Sequence, residues 1–402
     1  MLALEGIQVL EVAQTPIASF CAMMLGDFGA EVLKIEAPPK AGAEIYASPA
    51  GEENRREAVY RFLHRNKKNM GLNLRSEWGR EIFLRLAERA DVVIEGFRPG
   101  VVKRLGIDYE TMSQLNPRLV YCSISGYGQD GPYRDLPGHD INYISIGGAL
   151  GIIGKRDGPP TIPSNFVGDW AGGTMHATIG ILIALLARGN TGKGQYVDIS
   201  MTDGVISLMG WLASNYFAQG EVPRRENSAI GGSFPYYNVY EAKDGKFISV
   251  GCLEPWFWEN LCRELGREDL MPYHFMPEHR LGKTGDKKWE EIFSYLRGTF
   301  LTKTGDEWFQ LLSQKNIPIT KVYDLDEVFS DPQVLQRKMV VELEHPTVGK
   351  VKQVGIAIKL SDTPGEIRSF PPLLGEHTNE VLQDLGYTAE EIEGLRREAI
   401  VG

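Results

Sequence analysis

The pattern of apolar and polar positions divides the chain into alternating strands and helices. Ile7 to Ala13 is a short strand-like run, Ala18 to Phe28 an apolar helix entered at Pro16 and closed by Gly29, and Glu31 to Glu36 a second strand. A strand, a helix and a strand in succession predict a parallel sheet with helices on its faces. The alternation continues with strands at Met70 to Leu74, Asp91 to Glu95 and Leu119 to Ile124, separated by helical segments such as Glu77 to Arg89. The first ~130 residues therefore read as doubly wound α/β. A helix opened by Asp169 runs through an almost wholly apolar Ile179 to Ala187. A strand over Tyr196 to Ser200 and an apolar helix over 201–219 follow.

The pattern changes near Glu221. Pro235 to Ala242 and Lys246 to Gly251 flank a Lys243-Asp244-Gly245 turn and predict a hairpin, with helical segments following to about Gln314. From Val341 the chain returns to short strands, Pro pairs and a last amphipathic helix, Ala389 to Glu398. The expected domains are a large Rossmann-like one over 1–220, a small α+β domain over 221–330, and a segment over 331–402 that rejoins the first. Residues 37 to 60, rich in Ala, Pro, Gly and charge, read as a long functional or mobile loop.

Composition narrows the function. With 43% hydrophobic and 24% charged residues, the 402-residue chain can bury a sizeable core. A net charge of −10 argues against a nucleic-acid surface and requires a local basic pocket for any anionic ligand. Cys21, Cys122, Cys252 and Cys262 are scattered, as expected of reduced thiols in a cytoplasmic protein, and the chain shows no metal-ligand spacing. No signal-peptide pattern opens it, and no apolar run reaches the ~18 residues expected of a membrane span. Gln14-Thr15-Pro16 stands where a dinucleotide-binding glycine turn would be, so no nicotinamide or flavin cofactor is expected.

The candidate chemistry lies between Gly138 and Gly173. His139 and Asp140 share a glycine-flanked loop, and Asp169 stands in a glycine turn at the start of a helix, whose N–H groups favour an anion. The residues read either as an acid/base pair or as a buried histidine and a helix cap. His176 is a poorer partner for Asp169, about 10 Å further along the helix axis. Arg98, Lys103 and Arg104 follow a parallel strand, where α/β sheets bind ligands. With Arg65, Lys67 and Lys68 they form either a phosphate pocket or a solvated basic face. Tyr143, Phe234, Tyr236, Tyr237 and Trp256 fit an acyl pocket or core packing equally well.

Several segments in fixed order carry a resemblance. They are Leu25-Gly26-Asp27-Phe28-Gly29, Glu95-Gly96-Phe97-Arg98-Pro99-Gly100, Ser125-Gly126-Tyr127-Gly128, Val167-Gly168-Asp169, Gly192-Lys193-Gly194-Gln195, and Pro371-Pro372-Leu373-Leu374-Gly375. Together they resemble the class III CoA-transferase family over nearly the whole chain. Gly138-His139-Asp140, Gly168-Asp169 and Gly251-Cys252-Leu253-Glu254-Pro255 resemble most its racemase branch, which acts on 2-methylacyl-CoA esters. The resemblance implies an interlaced homodimer and an acyl-CoA substrate, with no permanently bound cofactor. In it His139 and Asp169 are the proton-transfer residues, Asp140 accompanies them in the catalytic set, and Glu254 orients the histidine. It places CoA against Arg98, Arg104, Lys67, Lys68 and the loop that begins at Ala37. The alternative within the family is CoA transfer between carboxylic acids, with Asp169 as nucleophile in a site that usually lacks the histidine. Outside catalysis, the alternative is a silent CoA-binding subunit.

Overall fold

The structure is a computed structural model that describes residues 1–13, 15–38, 60, 62–228, 230–274, 287–345 and 349–402. The long loop expected over 37–60 lies almost wholly outside the described residues. The chain divides into two compact units, one of residues 1–148, 164–209 and 336–402, the other of 149–163 and 210–335.

The first unit is built on six strands, β1 (Gln8–Val12), β2 (Glu31–Glu36), β3 (Lys67–Gly71), β4 (Val92–Glu95), β5 (Val120–Ser125) and β6 (Tyr196–Ser200). They lie in the order β3-β2-β1-β4-β5-β6, every pair parallel. Strand order reverses between β1 and β4, and in such sheets the crevice beyond the carboxyl ends of those strands is where ligands bind. Alternation along β1 sends Val9 to one face and Leu10 and Val12 to the other. Val9 meets Ala18, Cys21 and Ala22 of the helix Pro16–Asp27 and Ala177 and Ile181 of the helix His176–Thr191. Leu10 and Val12 join Ile82 and Phe83 of the helix Glu77–Ala87 and Leu382 and Ile392 of the last two helices. Both ends of the sequence thus share one core. The four cysteines are buried free thiols.

The second unit holds the antiparallel strands β7 (Tyr237–Glu241), β8 (Phe247–Gly251) and β9 (Ile319–Val322). Gly245, at φ +75°, makes the tight turn of the expected hairpin. One face is packed by helices that contribute Trp258, Leu296, Phe300 and Trp308.

Four expectations are corrected. β3 begins at Lys67, three residues before the expected strand, so Lys67 and Lys68 alternate between the two faces of an edge strand. The helix expected over 201–219 is two helices, Met201–Leu208 and Gly210–Gln219, and the boundary between units falls between them. Residues 149–163, expected in the large domain, belong to the second unit, where Lys155 pairs with Glu226 at 2.9 Å and Arg225 donates to the Gly151 carbonyl. Finally, Phe166–Thr191 forms one continuous helical run of 26 residues, long and apolar enough by length and composition to cross a membrane. Its Gly-rich beginning hides that length in the sequence, and its inner face carries Ala177, Ile181 and Ala184 into the sheet core.

Candidate active site

His139 stands in extended backbone, φ −136°, at the start of the helix Asp140–Ile146, with its N–H accepted by Asn142 Oδ1 at 3.1 Å. That closing contact leaves the His139 side chain exposed at the helix entrance. The next residue turns the opposite way. Asp140 is buried, and its Oδ2 accepts the N–H groups of Gly168 and Asp169, both at 2.8 Å. A Cβ at Gly168 would stand 2.7 Å from that oxygen, so the close approach requires glycine. The carboxylate of Asp140 therefore ties the segment bearing Asp169 to the segment bearing His139.

Asp169 lies in the first turn of a π-helix, Phe166–Met175, which passes directly into the α-helix His176–Thr191. π-turns are rare and cluster at functional sites. This one is held by close backbone contact: a Cβ at Gly204 would run into the Gly172 carbonyl, and one at Gly172 would lie 2.7 Å from the Met201 carbonyl. Thr174 Oγ1 donates to the Ile17 carbonyl at 2.9 Å, and Trp170 packs edge-on to Phe20 at 5.2 Å. The sequence expectation of an ordinary helix opening at Asp169 is corrected in both start and type.

The Asp169 carboxyl is half-buried and accepts Asn165 Nδ2 at 3.2 Å. Desolvation raises its pKa most and the Asn165 hydrogen bond opposes that. The Asp140 charge raises it further, while His139 lowers it. Asp169 thus holds a proton more readily than an exposed aspartate and interacts with the His139 imidazole. The helix terminus offers less to a ligand than the sequence implied. The N–H groups of Gly168 and Asp169 are taken by Asp140, and that of Trp170 bonds the Asn165 carbonyl at 3.3 Å. Asp140, expected among the catalytic residues, spends its Oδ2 on the backbone that carries Asp169.

Arg98 and Arg104 are exposed beyond the carboxyl end of β4, and Ala37 is exposed just past β2. Gly100 and Gly106, both at positive φ, bound the short helix Val101–Leu105, and a Cβ at Gly100 would lie 3.6 Å from Arg104 Nη1. Tyr143 crosses beneath this region, packing edge-on to Tyr127 at 5.2 Å and donating to the Gly138 carbonyl at 2.5 Å. Burial pushes the Tyr143 hydroxyl up to about 12, with Tyr127 and Asp169 adding to the rise and Arg98 opposing it, so all four share one neighbourhood.

Lys67 is not a phosphate handle. Its ammonium is buried, donating to Glu11 Oε2 at 2.6 Å and the Ser19 carbonyl at 2.8 Å, because its place on β3 points it inward. Arg65 is likewise committed, gripping Asp27 through two hydrogen bonds of 3.0 and 2.7 Å. Lys68 points outward and pairs with Glu380 at 2.6 Å. Glu254 stands at the start of the helix Pro255–Glu264 in the second unit. Of the suggested acyl-pocket aromatics, Tyr236 is core in the second unit, whereas Trp256 is exposed. The sequence reading missed Asn165, the Gly168 contact and the π-helix. A side-chain amide four residues before Asp169 was the available signal.

A parallel α/β sheet with Arg98 and Arg104 beyond its switch point, and His139, Asp140 and Asp169 brought to two neighbouring helix segments, offers acid/base groups beside a basic face. The family model described as CoA-transferase family III matches residues 4–378, and the chain belongs to that family. It is an enzyme acting on CoA thioesters. It is 34% identical to the alpha-methylacyl-CoA racemase of Homo sapiens, over 100% of this chain and 98% of that protein. It is 31% identical to the succinyl-CoA--D-citramalate CoA-transferase of Chloroflexus aurantiacus, over 99% and 98%. The crystal structure of a CAIB/BAIF family protein from Brucella suis superposes with a TM-score of 0.78 at 28% identity, covering 96% of this chain and 99% of that one.

Proposed function

We propose that this enzyme inverts the α-carbon of a 2-methylacyl-CoA by 1,1-proton transfer between His139 and Asp169. The observation that supports this most is the joining of the two residues through Asp140, which binds the Asp169 backbone while heading the helix that His139 opens. One of the pair takes the α-proton, giving an enolate. The other returns a proton to the opposite face, and the ester leaves with the same atoms and inverted geometry. The thioester itself acidifies the α-carbon, so the step needs no redox cofactor. The raised pKa of Asp169 brings it nearer to the working range of a proton donor. Because Asp140 occupies the N–H groups of Gly168 and Asp169, the donors to the enolate oxygen come from elsewhere.

Arg98 and Arg104, with the chain after Ala37, are our candidates for holding the CoA phosphates; Lys68 is a lesser one, since it is already paired. We also propose a homodimer, with Glu254 completing the site as the orienter of His139. Ile179, Ile183 and Leu186 are 54%, 61% and 76% exposed along one side of the helix His176–Thr191, an apolar stripe suited to a second copy of the chain.

The test is incubation of a single-enantiomer 2-methylacyl-CoA in D₂O with no acceptor acid. Deuterium at the α-carbon together with inversion is expected. Absence of exchange, with CoA moving to an added carboxylic acid and hydroxylamine trapping an acyl group on Asp169, would replace this reading with CoA transfer, the activity that other 31% identical relatives are named for.

A further inference from the structure

Glu95 ends β4 at the switch point, and proton transfer between His139 and Asp169 gives it no task. It is 2% exposed. Its neighbours in register are Val12 on β1 and Ser123 on β5, with Asp198 on β6 next along the row. Glu95 Oε2 accepts the N–H of Phe97 at 2.7 Å, which ties its side chain to the backbone one residue before Arg98.

Among the described residues no cation pairs with Glu95 to balance a carboxylate. Across β5 and β6 the groups facing it are Ser123, Tyr121, Tyr196 and Asp198, with Asp108 and Glu110 beyond the tyrosines. Arg98 and Arg104 follow Glu95 in the chain, on the loop after β4 and on the short helix Val101–Leu105. A buried carboxylate so placed is expensive, whereas its protonated form needs only an acceptor for the O–H. Ser123 Oγ is buried beside it and has no hydrogen-bond partner of ordinary geometry among the described residues. Burial is the largest influence on Glu95 and Asp198 adds to it, against Ser123 and the Phe97 N–H, leaving the acid at about 7.

We infer that Glu95 is a titrating positioning residue for the Arg98 loop: protonated, it leaves the loop's positive charge whole for the phosphates of a CoA ester, and ionised, it opposes them. The inference rests on the reading of Arg98 and Arg104 as the CoA handle. Its sign is fixed by electrostatics. An anion bound above Glu95 favours the neutral acid, so affinity for CoA falls as pH rises through the acid's pKa.

The experiment is calorimetric binding of free coenzyme A to the full chain, from about pH 6 to about pH 8, for the wild type and Glu95→Gln. The amide keeps an acceptor for Phe97 N–H and cannot ionise. Proton uptake by CoA itself is common to both proteins and cancels in the ratio of their affinities. That ratio should shift on the order of fivefold across the range, the wild type losing the more affinity. A ratio that stays flat while CoA binds overturns the inference alone, and failure of CoA to bind at any pH overturns the CoA reading with it. Should Glu95→Gln not fold, infrared titration of the wild type serves. A buried carboxylic acid band that disappears near neutral pH, and does so at higher pH with CoA bound, is expected; its absence, or a transition CoA does not move, refutes the proposal.

Discussion

Two of the places where the first unit buries acidic groups are built on opposite principles. Glu11 is fully buried, and its oxygens accept Lys34 Nζ at 2.9 Å, Lys67 Nζ at 2.6 Å and Ser19 Oγ at 2.5 Å. Desolvation, the largest single influence, raises its pKa, but the two ammonium groups together outweigh it and hold the carboxyl well below the usual range. Asp140 and Asp169 form no ion pair among the described residues. Asp140 is met by backbone N–H groups through Oδ2 alone, and its buried Oδ1 has no hydrogen-bond partner there. Asp169 is left with a raised pKa. A carboxylate saturated by cations is fixed in one protonation state and serves structure. One compensated only in part keeps a proton within reach of exchange.

That contrast is broken most sharply by Asp169→Asn. It should lower turnover by about 10²–10⁴-fold, the usual contribution of a general acid or base, while denaturant unfolding shifts by no more than about 1 kcal/mol. Turnover that survives the substitution would remove Asp169 from the mechanism. Glu11→Gln should do the reverse and destabilise the fold by about 3–5 kcal/mol, because it strands two buried ammonium groups. The same site gives a pH signature. Since the folded pKa of Glu11 is depressed, its contribution is full above the ordinary value of 4.5 and is lost as pH falls below it. The wild-type unfolding midpoint should therefore drop more steeply in acid than that of Glu11→Gln, and parallel curves would show that the cluster carries no linked stability.

Smaller effects sharpen the same comparison. Gly168→Ala places a methyl group against Asp140 Oδ2 and should cost about 1–3 kcal/mol together with part of the turnover. An unchanged unfolding curve would mean that the Asp140 contact yields without strain. Lys68→Met, one residue from a buried lysine, breaks only the half-exposed pair with Glu380 and should move stability by less than about 1 kcal/mol. A larger shift in thermal unfolding would show that the edge of the sheet depends on that pair.

The strand-and-helix alternation was legible because its causes are local. Short runs rich in apolar residues mark β1, β2 and β5, Pro16 starts a helix, and Gly245 turns a hairpin, each within a few residues. His139, Asp140 and Asp169 stood out for the same reason, as polar residues in glycine turns beside apolar helices. The basic residues were not separable by such rules. Lys67 and Lys68 are chemically equal and adjacent, and only the register of β3 against β2 turned one towards Glu11 and the other towards solvent.

By itself the sequence determined the α/β class, the order of the elements and the residue types available for proton transfer, since these follow from local pattern and composition. The tertiary structure decided which of the residues meet. Asp140 reaches Asp169 across 28 intervening positions, Gly172 and Gly204 let two backbones touch at the π-helix, and Glu95 is left without an ion pair among the described residues. Contacts between residues distant in the chain, and the desolvation that shifts their protons, come into being only when the chain has closed on itself.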